Sequence, residues 1–156
     1  MISYLTNNYN IINLHKKPNK KSEIVTQMIY GDSFSVIKKT NKWLKVKIKE
    51  DSYQGFIQNR KFSKYLKPTH KIKTLNAPIF KNPNKQKKVY ELSFGSKVKI
   101  IEKKSEYFKF SKGWIKKNNV NAIDFKEKNV FKNITMFINT KYKWGGKSFK
   151  GIDCSA

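Results

Sequence analysis

The sequence predicts a mainly β chain: two small β-barrel modules in tandem, then a shorter stretch of different texture. Three observations predict it. One block of sequence occurs twice, its apolar residues alternate with polar ones, and aromatic residues make up 14% of the composition. Alternation at a period of two puts one face of each strand on a core and the other in water. Aromatic and β-branched side chains favour pleated, half-buried surfaces.

The repeat is the most informative of the three. Pro18-Asn19-Lys20 returns as Pro83-Asn84-Lys85. Gly31 and Gly95 each precede an apolar run, Phe34, Val36 and Ile37 in one copy and Val98, Ile100 and Ile101 in the other. A polar turn follows (Lys39-Thr40-Asn41-Lys42, then Lys103-Lys104-Ser105-Glu106), and after it a strand led by an aromatic residue, Trp43-Leu44-Lys45-Val46 or Tyr107-Phe108-Lys109-Phe110. Each copy closes on glycine, an aromatic residue and isoleucine: Gly55-Phe56-Ile57 and Gly113-Trp114-Ile115. Lys45-Val46-Lys47-Ile48-Lys49 shows the alternation plainly. Clusters of Pro, Asn and Gly mark the turns, and short strands at close spacing without a helical period describe a small closed barrel. A repeat of about 60 residues is too long for a solenoid unit and suits one autonomous small domain. The modules are expected over 6–66 and 70–122, joined by Tyr65-Leu66-Lys67-Pro68-Thr69-His70, with no helix in either.

The formal net charge of +25 invites a nucleic-acid reading. Two features argue against specific readout. Arg60 is the only arginine among 35 basic residues, whereas base and phosphate recognition favours the forked guanidinium. The lysines are also spread over the whole chain, so the charge implies salt-sensitive, nonspecific attraction to polyanions. Cys154 is the only cysteine, which excludes an internal disulfide. The first ten residues lack a basic segment followed by an apolar core, so no signal peptide is expected. No run approaches the ~18 apolar residues of a membrane span. The expected location is therefore the cytoplasm, with no membrane insertion. His15 aligns with Phe80 and His70 falls in the linker, and neither has a metal-ligand neighbour at the usual spacing. Both read as structural, and no metal or cofactor is expected. Trp43, Phe56, Tyr107 and Trp114 read as core and rim packing, with an aromatic ligand groove as the alternative.

The order of these motifs resembles the bacterial SH3 domain. Gly113-Trp114-Ile115 matches that family's closing motif directly and Gly55-Phe56-Ile57 is a variant of it. The resemblance implies an SH3-like barrel for each copy.

After Ala122 the texture changes. Asp124 and Glu127 have capping-box spacing, and Val130, Phe131, Ile134, Phe137 and Ile138 recur at three- and four-residue intervals, which predicts an amphipathic helix over 125–139. Then comes Tyr142-Lys143-Trp144-Gly145-Gly146-Lys147-Ser148-Phe149-Lys150-Gly151-Ile152-Asp153-Cys154-Ser155-Ala156. This run resembles the signature of the NlpC/P60 cysteine peptidases: Tyr-X-Trp-Gly-Gly, a short loop containing serine, then Gly-X-Asp-Cys-Ser. The resemblance covers 123–156 and implies the first helix and nucleophile loop of an α+β, papain-like peptidase domain. It implies Cys154 as nucleophile, Tyr142 beside it, and Asp153 and Ser155 against the substrate. In the two-module subgroup a tyrosine of the first barrel walls the pocket, which makes Tyr53 the candidate.

The chemistry suits these residues. A cysteine nucleophile must be a thiolate, so its environment must lower a thiol pKa from about 8.5, and a helix start supplies unpaired N–H groups that do so. The resemblance implies a peptidoglycan stem peptide, L-Ala-γ-D-Glu-diamino acid, as partner, and attack on the amide after γ-D-glutamate in wall-peptide recycling. The family has glycine where this chain has Ala156, and its histidine base lies on a later strand. A cysteine without its base is a poor nucleophile at neutral pH, so the 156-residue chain is expected to be inactive, as a truncated form would be. Residues 123–156 are expected to exchange amide hydrogens readily. The alternative function is a non-enzymatic pair of modules that binds wall peptide or a partner protein.

Overall fold

The computed structural model describes residues 3–83, 87–129 and 131–156. The chain divides into two compact units, Met1–Leu66 with Lys141–Ala156, and Lys67–Thr140. Of the segment 123–156, expected to open a peptidase domain, the last sixteen residues, Lys141–Ala156, fall in the first unit.

The first unit holds β1 (Tyr4–Thr6), β2 (Ile11–His15), β3 (Ile24–Ile29), β4 (Ser33–Lys39), β5 (Trp43–Ile48), β6 (Gln54–Gln58) and β7 (Ser63–Lys64). They form one antiparallel sheet in the order β3-β2-β6-β5-β4-β1-β7. The alternation in β5 buries Leu44, Val46 and Ile48 and leaves Lys47 in water. Their inner faces meet Leu14, Met28, Phe34 and Ile57, all nearly solvent-free, in one core. The β3–β4 turn needs Gly31, whose φ of 86° costs any other residue a steric penalty.

The second unit holds β8 (His70–Ile72), β9 (Asn76–Phe80), β10 (Lys88–Ser93), β11 (Lys97–Val98), β12 (Glu102–Lys104), β13 (Tyr107–Phe110), β14 (Gly113–Lys116) and β15 (Val120–Ala122). It has a five-stranded sheet, β10-β9-β14-β13-β12, and a three-stranded one, β11-β8-β15. Ile72, Ala77, Ile79, Leu92, Val98, Phe110 and Ile115 are buried.

Several positions of the sequence repeat correspond in geometry, although the strands are grouped into sheets differently. His15 pairs with Phe56, and Phe80 pairs with Trp114. His15 meets Trp43 edge to face at 5.8 Å, and Phe80 meets Tyr107 edge to face at the same 5.8 Å. Gly31 N–H donates to the Asn7 carbonyl and Gly95 N–H to that of Ile72. Asn84 and Lys85 of the repeated triplet lie outside the described residues.

Two expectations about helices are corrected. The second unit contains a 3-10 turn, Lys117–Asn119, where no helix was expected. The helix expected over 125–139 is a single α turn, α1 (Phe131–Ile134), followed by a 3-10 turn, Thr135–Phe137. Asn and β-branched residues weaken this stretch, and a helix this short needs a buried face to persist. That face is not buried: Phe131 and Ile138 are each 74% exposed, although Phe137 meets Phe94 at 5.5 Å. Asp124 and Glu127 precede the helix and so do not cap it. Val130 lies outside the described residues.

Candidate functional site

The residues around Cys154 form a small, tightly bonded platform. β16 (Lys147–Ser148) and β17 (Gly151–Ile152) make a two-stranded hairpin. The chain through Tyr142 runs parallel to β17: Lys143 N–H donates to the Ile152 carbonyl at 2.9 Å, and Ile152 N–H to that of Lys141 at 3.1 Å. Three glycines are required by close approach. A Cβ at Gly146 would lie 2.5 Å from the Gly151 carbonyl oxygen and 2.8 Å from that of Lys143. One at Gly151 would lie 2.5 Å from Lys143 Cβ. One at Gly145, where φ is 67°, would lie 2.8 Å from the Ile24 carbonyl oxygen.

Asp153 ties this platform together. One carboxylate oxygen accepts the Gly145 N–H at 3.0 Å. The other accepts the N–H and the hydroxyl of Ser155, at 2.9 and 2.8 Å. Acceptance of the N–H two residues on is the geometry of a helix N-cap, and it holds the exposed Cys154 between two fixed neighbours.

The platform rests on β3 and on the β5–β6 turn. Lys147 N–H donates to Gln27 Oε1 at 2.9 Å, and Gln27 donates to Asn13 Oδ1 at 2.8 Å. The Lys147 ammonium donates to Asp51 at 3.0 Å and lies 3.9 Å from the buried Asp32. The Trp144 indole donates to Glu23 at 3.3 Å. The Glu23 carboxyl is held below its ordinary range, chiefly by the hydrogen bond from Lys16 and then by that ammonium's charge; desolvation opposes them, and the Trp144 bond adds a lesser lowering.

Of the residues expected at the site, Asp153, Cys154 and Ser155 are therefore brought together, and Tyr142, 65% exposed, lies on the neighbouring extended stretch. Tyr53 is on the β5–β6 turn, 43% exposed, with its N–H bonded to Asp51 at 3.1 Å. Asp51 in turn meets Lys147, so the Tyr53 turn and the hairpin are linked through that ion pair. Gln27, Asp32, Asp51 and Glu23 were missed in the sequence. Scarcity was the available signal: with only 10 acidic residues in the chain, three of them meet this one segment.

Lys147→Met removes the ammonium that Asp32 and Asp51 share. Their side chains and that of Lys147 are at most 27% exposed, so the loss is expected to be about 1–2 kcal/mol in the local opening of the hairpin. Faster amide exchange in 146–152, with the core strands unchanged, checks it.

The histidines are structural in setting. His15 Nδ1 lies 3.0 Å from the Ser22 carbonyl oxygen. His70 Nδ1 lies 2.9 Å from Thr69 Oγ1, and its ring packs against Phe108. Burial, and then the Lys103 charge, lower the His70 pKa from 6.5. The folded second unit therefore resists a proton that the unfolded chain accepts. The stabilisation is full above pH 6.5 and is lost as pH falls through that value toward the depressed one. The urea midpoint is expected to fall between pH 7.5 and 5, and His70→Gln is expected to flatten that dependence. Among the described residues no cluster of three or more His, Cys, Asp or Glu is arranged to hold a metal ion, and no helix is long and apolar enough to cross a membrane.

Comparison with known proteins agrees with this geometry. Residues 14–62 match the family described as the bacterial dipeptidyl-peptidase SH3 domain. Over 162 aligned residues the chain is 22% identical to the gamma-D-glutamyl-L-lysine dipeptidyl-peptidase of Bacillus cereus, covering 86% of this chain and 48% of that one. The chain thus spans about half the length of this curated relative. A crystal structure of an NlpC/P60 family protein from Bacillus cereus superposes with a TM-score of 0.79 at 18% identity, covering 98% of this chain and 69% of that one. NlpC2 from Trichomonas vaginalis reaches a TM-score of only 0.33 at 12% identity, over 90% of this chain and 56% of that one. Residues 14–62 are therefore similar to the bacterial dipeptidyl-peptidase SH3 domain, and the chain shares its fold with an NlpC/P60 family protein.

Proposed function

We propose that the chain is the N-terminal region of a cysteine endopeptidase that cleaves peptidoglycan stem peptides after γ-D-glutamate, with Cys154 as nucleophile. In this reading residues 70–122 are a second SH3-like module, and residues 123–156 open the α+β peptidase domain. The observation that carries it is the Asp153 arrangement. A carboxylate that fixes Gly145 on one side and Ser155 on the other leaves the Cys154 thiol exposed at a preorganised turn. Attack by that sulfur on the amide carbon expels the amine and leaves an acyl-enzyme, which water hydrolyses. Ser155, Tyr142 and the Tyr53 turn supply substrate contacts. His15 and His70 have other settings, so neither is the base in this reading, and the 156-residue chain by itself turns over no peptide. The similarity to a gamma-D-glutamyl-L-lysine dipeptidyl-peptidase supports the substrate class. Action in the cytoplasm on imported wall peptide is part of the same proposal.

The test is alkylation of Cys154 by a chloromethyl ketone built on L-Ala-γ-D-Glu, against one built on the α-linked L-Ala-L-Glu isomer. The γ-D reagent is expected to label Cys154 at least about ten-fold faster, and Asp153→Asn is expected to remove the difference. Equal rates for the two reagents on the unaltered chain contradict the proposal.

A second reading has one observation of its own. Pro18, Trp43 and Phe56 line an open groove of about 810 Å³ flanked by Lys38, Lys42 and Lys45. An aromatic floor with a cationic rim suits an extended peptide, so binding without catalysis remains the competing function for this face.

A further inference from the structure

A second groove in the first unit, of about 530 Å³, is polar where the first is aromatic. Lys20 and Arg60 line it from the strands' side, and Lys143 and Lys150 from the segment that carries Cys154. Asn13 and Gln58 supply amides, and no Asp or Glu is among the lining residues. Glu23, beside the lining residue Ile24, is already engaged by Lys16 and Trp144.

Two facts separate this groove from the general lysine excess. The only arginine of the chain is in it, and that arginine is held: its guanidinium donates to Gln58 Oε1 at 2.9 Å and lies 5.4 Å from the Tyr9 ring centroid. A guanidinium fixed in this way loses little freedom when it grips a planar or tetrahedral oxyanion. The second fact is energetic. Docking of the hairpin brings Lys143 and Lys150 into the same groove as Lys20 and Arg60, so four positive charges converge with no carboxylate among them. Like charges oppose that docking, and an anion between them reverses the sign of the interaction.

We propose that this groove binds an oxyanion ligand bearing two or more negative charges, and that the bound anion locks the Cys154 segment onto β2 and β3. The proposal is independent of the peptidase reading. The ligand's charge could reside on phosphate groups or on carboxylates, and the two are separated by the probe.

The experiment titrates the full chain with tripolyphosphate and, separately, with tricarballylate at constant ionic strength, and follows heat and amide exchange. One saturable site is expected, with slower exchange across 141–152 on binding. Tighter binding of tripolyphosphate assigns a phosphate ligand, and tighter binding of tricarballylate a carboxylate one. Arg60→Gln with Lys150→Gln is expected to weaken binding at least about ten-fold. Arg60→Lys, which keeps the charge and loses the fork, should weaken it about three-fold. Lys47→Gln, which removes an exposed charge elsewhere on the same unit, should change it less than two-fold. Equal loss in Lys47→Gln and in the double variant, or binding of many ions without saturation, overturns the proposal.

Discussion

Gly146→Ala is expected to detach the Cys154 segment from the strands it packs on while leaving those strands folded. The added methyl carbon would sit 2.5 Å from one backbone carbonyl oxygen and 2.8 Å from another, and neither can swing aside as a side chain could. The Lys143 carbonyl is held by the Gly146 N–H at 2.8 Å, the Gly151 carbonyl belongs to the paired strand β17, and the Asp153 N–H anchors the Gly146 carbonyl itself at 3.1 Å. Relief requires breaking those bonds, and with them the frame that sets Asp153. The cost is expected to be about 3 kcal/mol, or roughly a hundred-fold in the local opening equilibrium. Amide exchange across 145–153 should approach that of an unstructured peptide, with Leu44, Val46 and Ile57 still protected. Protection across 145–153 equal to that of the unaltered chain would show that the close approach is not rigid.

Phe34→Ala is expected to act on the whole first unit. Phe34 is fully buried, sits in the core with Leu14, Met28 and Ile48, and meets Phe62 edge to face at 4.9 Å. Removing a buried ring costs its transfer free energy and leaves a cavity that the sheet cannot close, about 3–5 kcal/mol in total. Stability of a domain this small is of that order, so the unit should be largely unfolded at physiological temperature. Because the hairpin rests on β3, its protection should be lost in the same transition. Two separate transitions in a urea titration, one for the core and one for 141–153, would contradict this coupling.

The mainly β character and the repeated turns were legible because their signals are local and recur. Gly31 and Gly95 mark turns with positive φ. Gly55 and Gly113 sit where a side chain would strike the neighbouring strand, 3.0 Å from Leu14 Cβ and 2.7 Å from the Phe80 carbonyl oxygen. His15 read as the counterpart of Phe80, and the pairings with Phe56 and Trp114 agree. Where the reading failed, burial decided. The period of Phe131, Ile134 and Ile138 describes an amphipathic helix, but nothing covers enough of that face to sustain one, and Asn133 and Thr135 add no propensity. The supports of the Cys154 segment were invisible for a different reason. Gln27 lies 120 residues from Lys147 and Asp51 lies 96. Neither carries any periodic or motif signal, so only the folded chain brings them together. The expectation of weak protection over 123–156 consequently divides: free exchange near Phe131 and Ile138, and protection from Lys143 to Asp153.

The central proposal is that the Cys154 turn, and not the aromatic groove, would receive a stem peptide. It is tested most directly by titrating the nitrogen-15-labelled chain with L-Ala-γ-D-Glu-L-Lys and following amide shifts. The account predicts saturable shifts at Tyr142, at Gly151 to Ser155 and at Tyr53. Shifts confined to Lys42–Lys45 and Phe56, with none from Gly151 to Ser155, would contradict it and assign the ligand to the groove of Trp43.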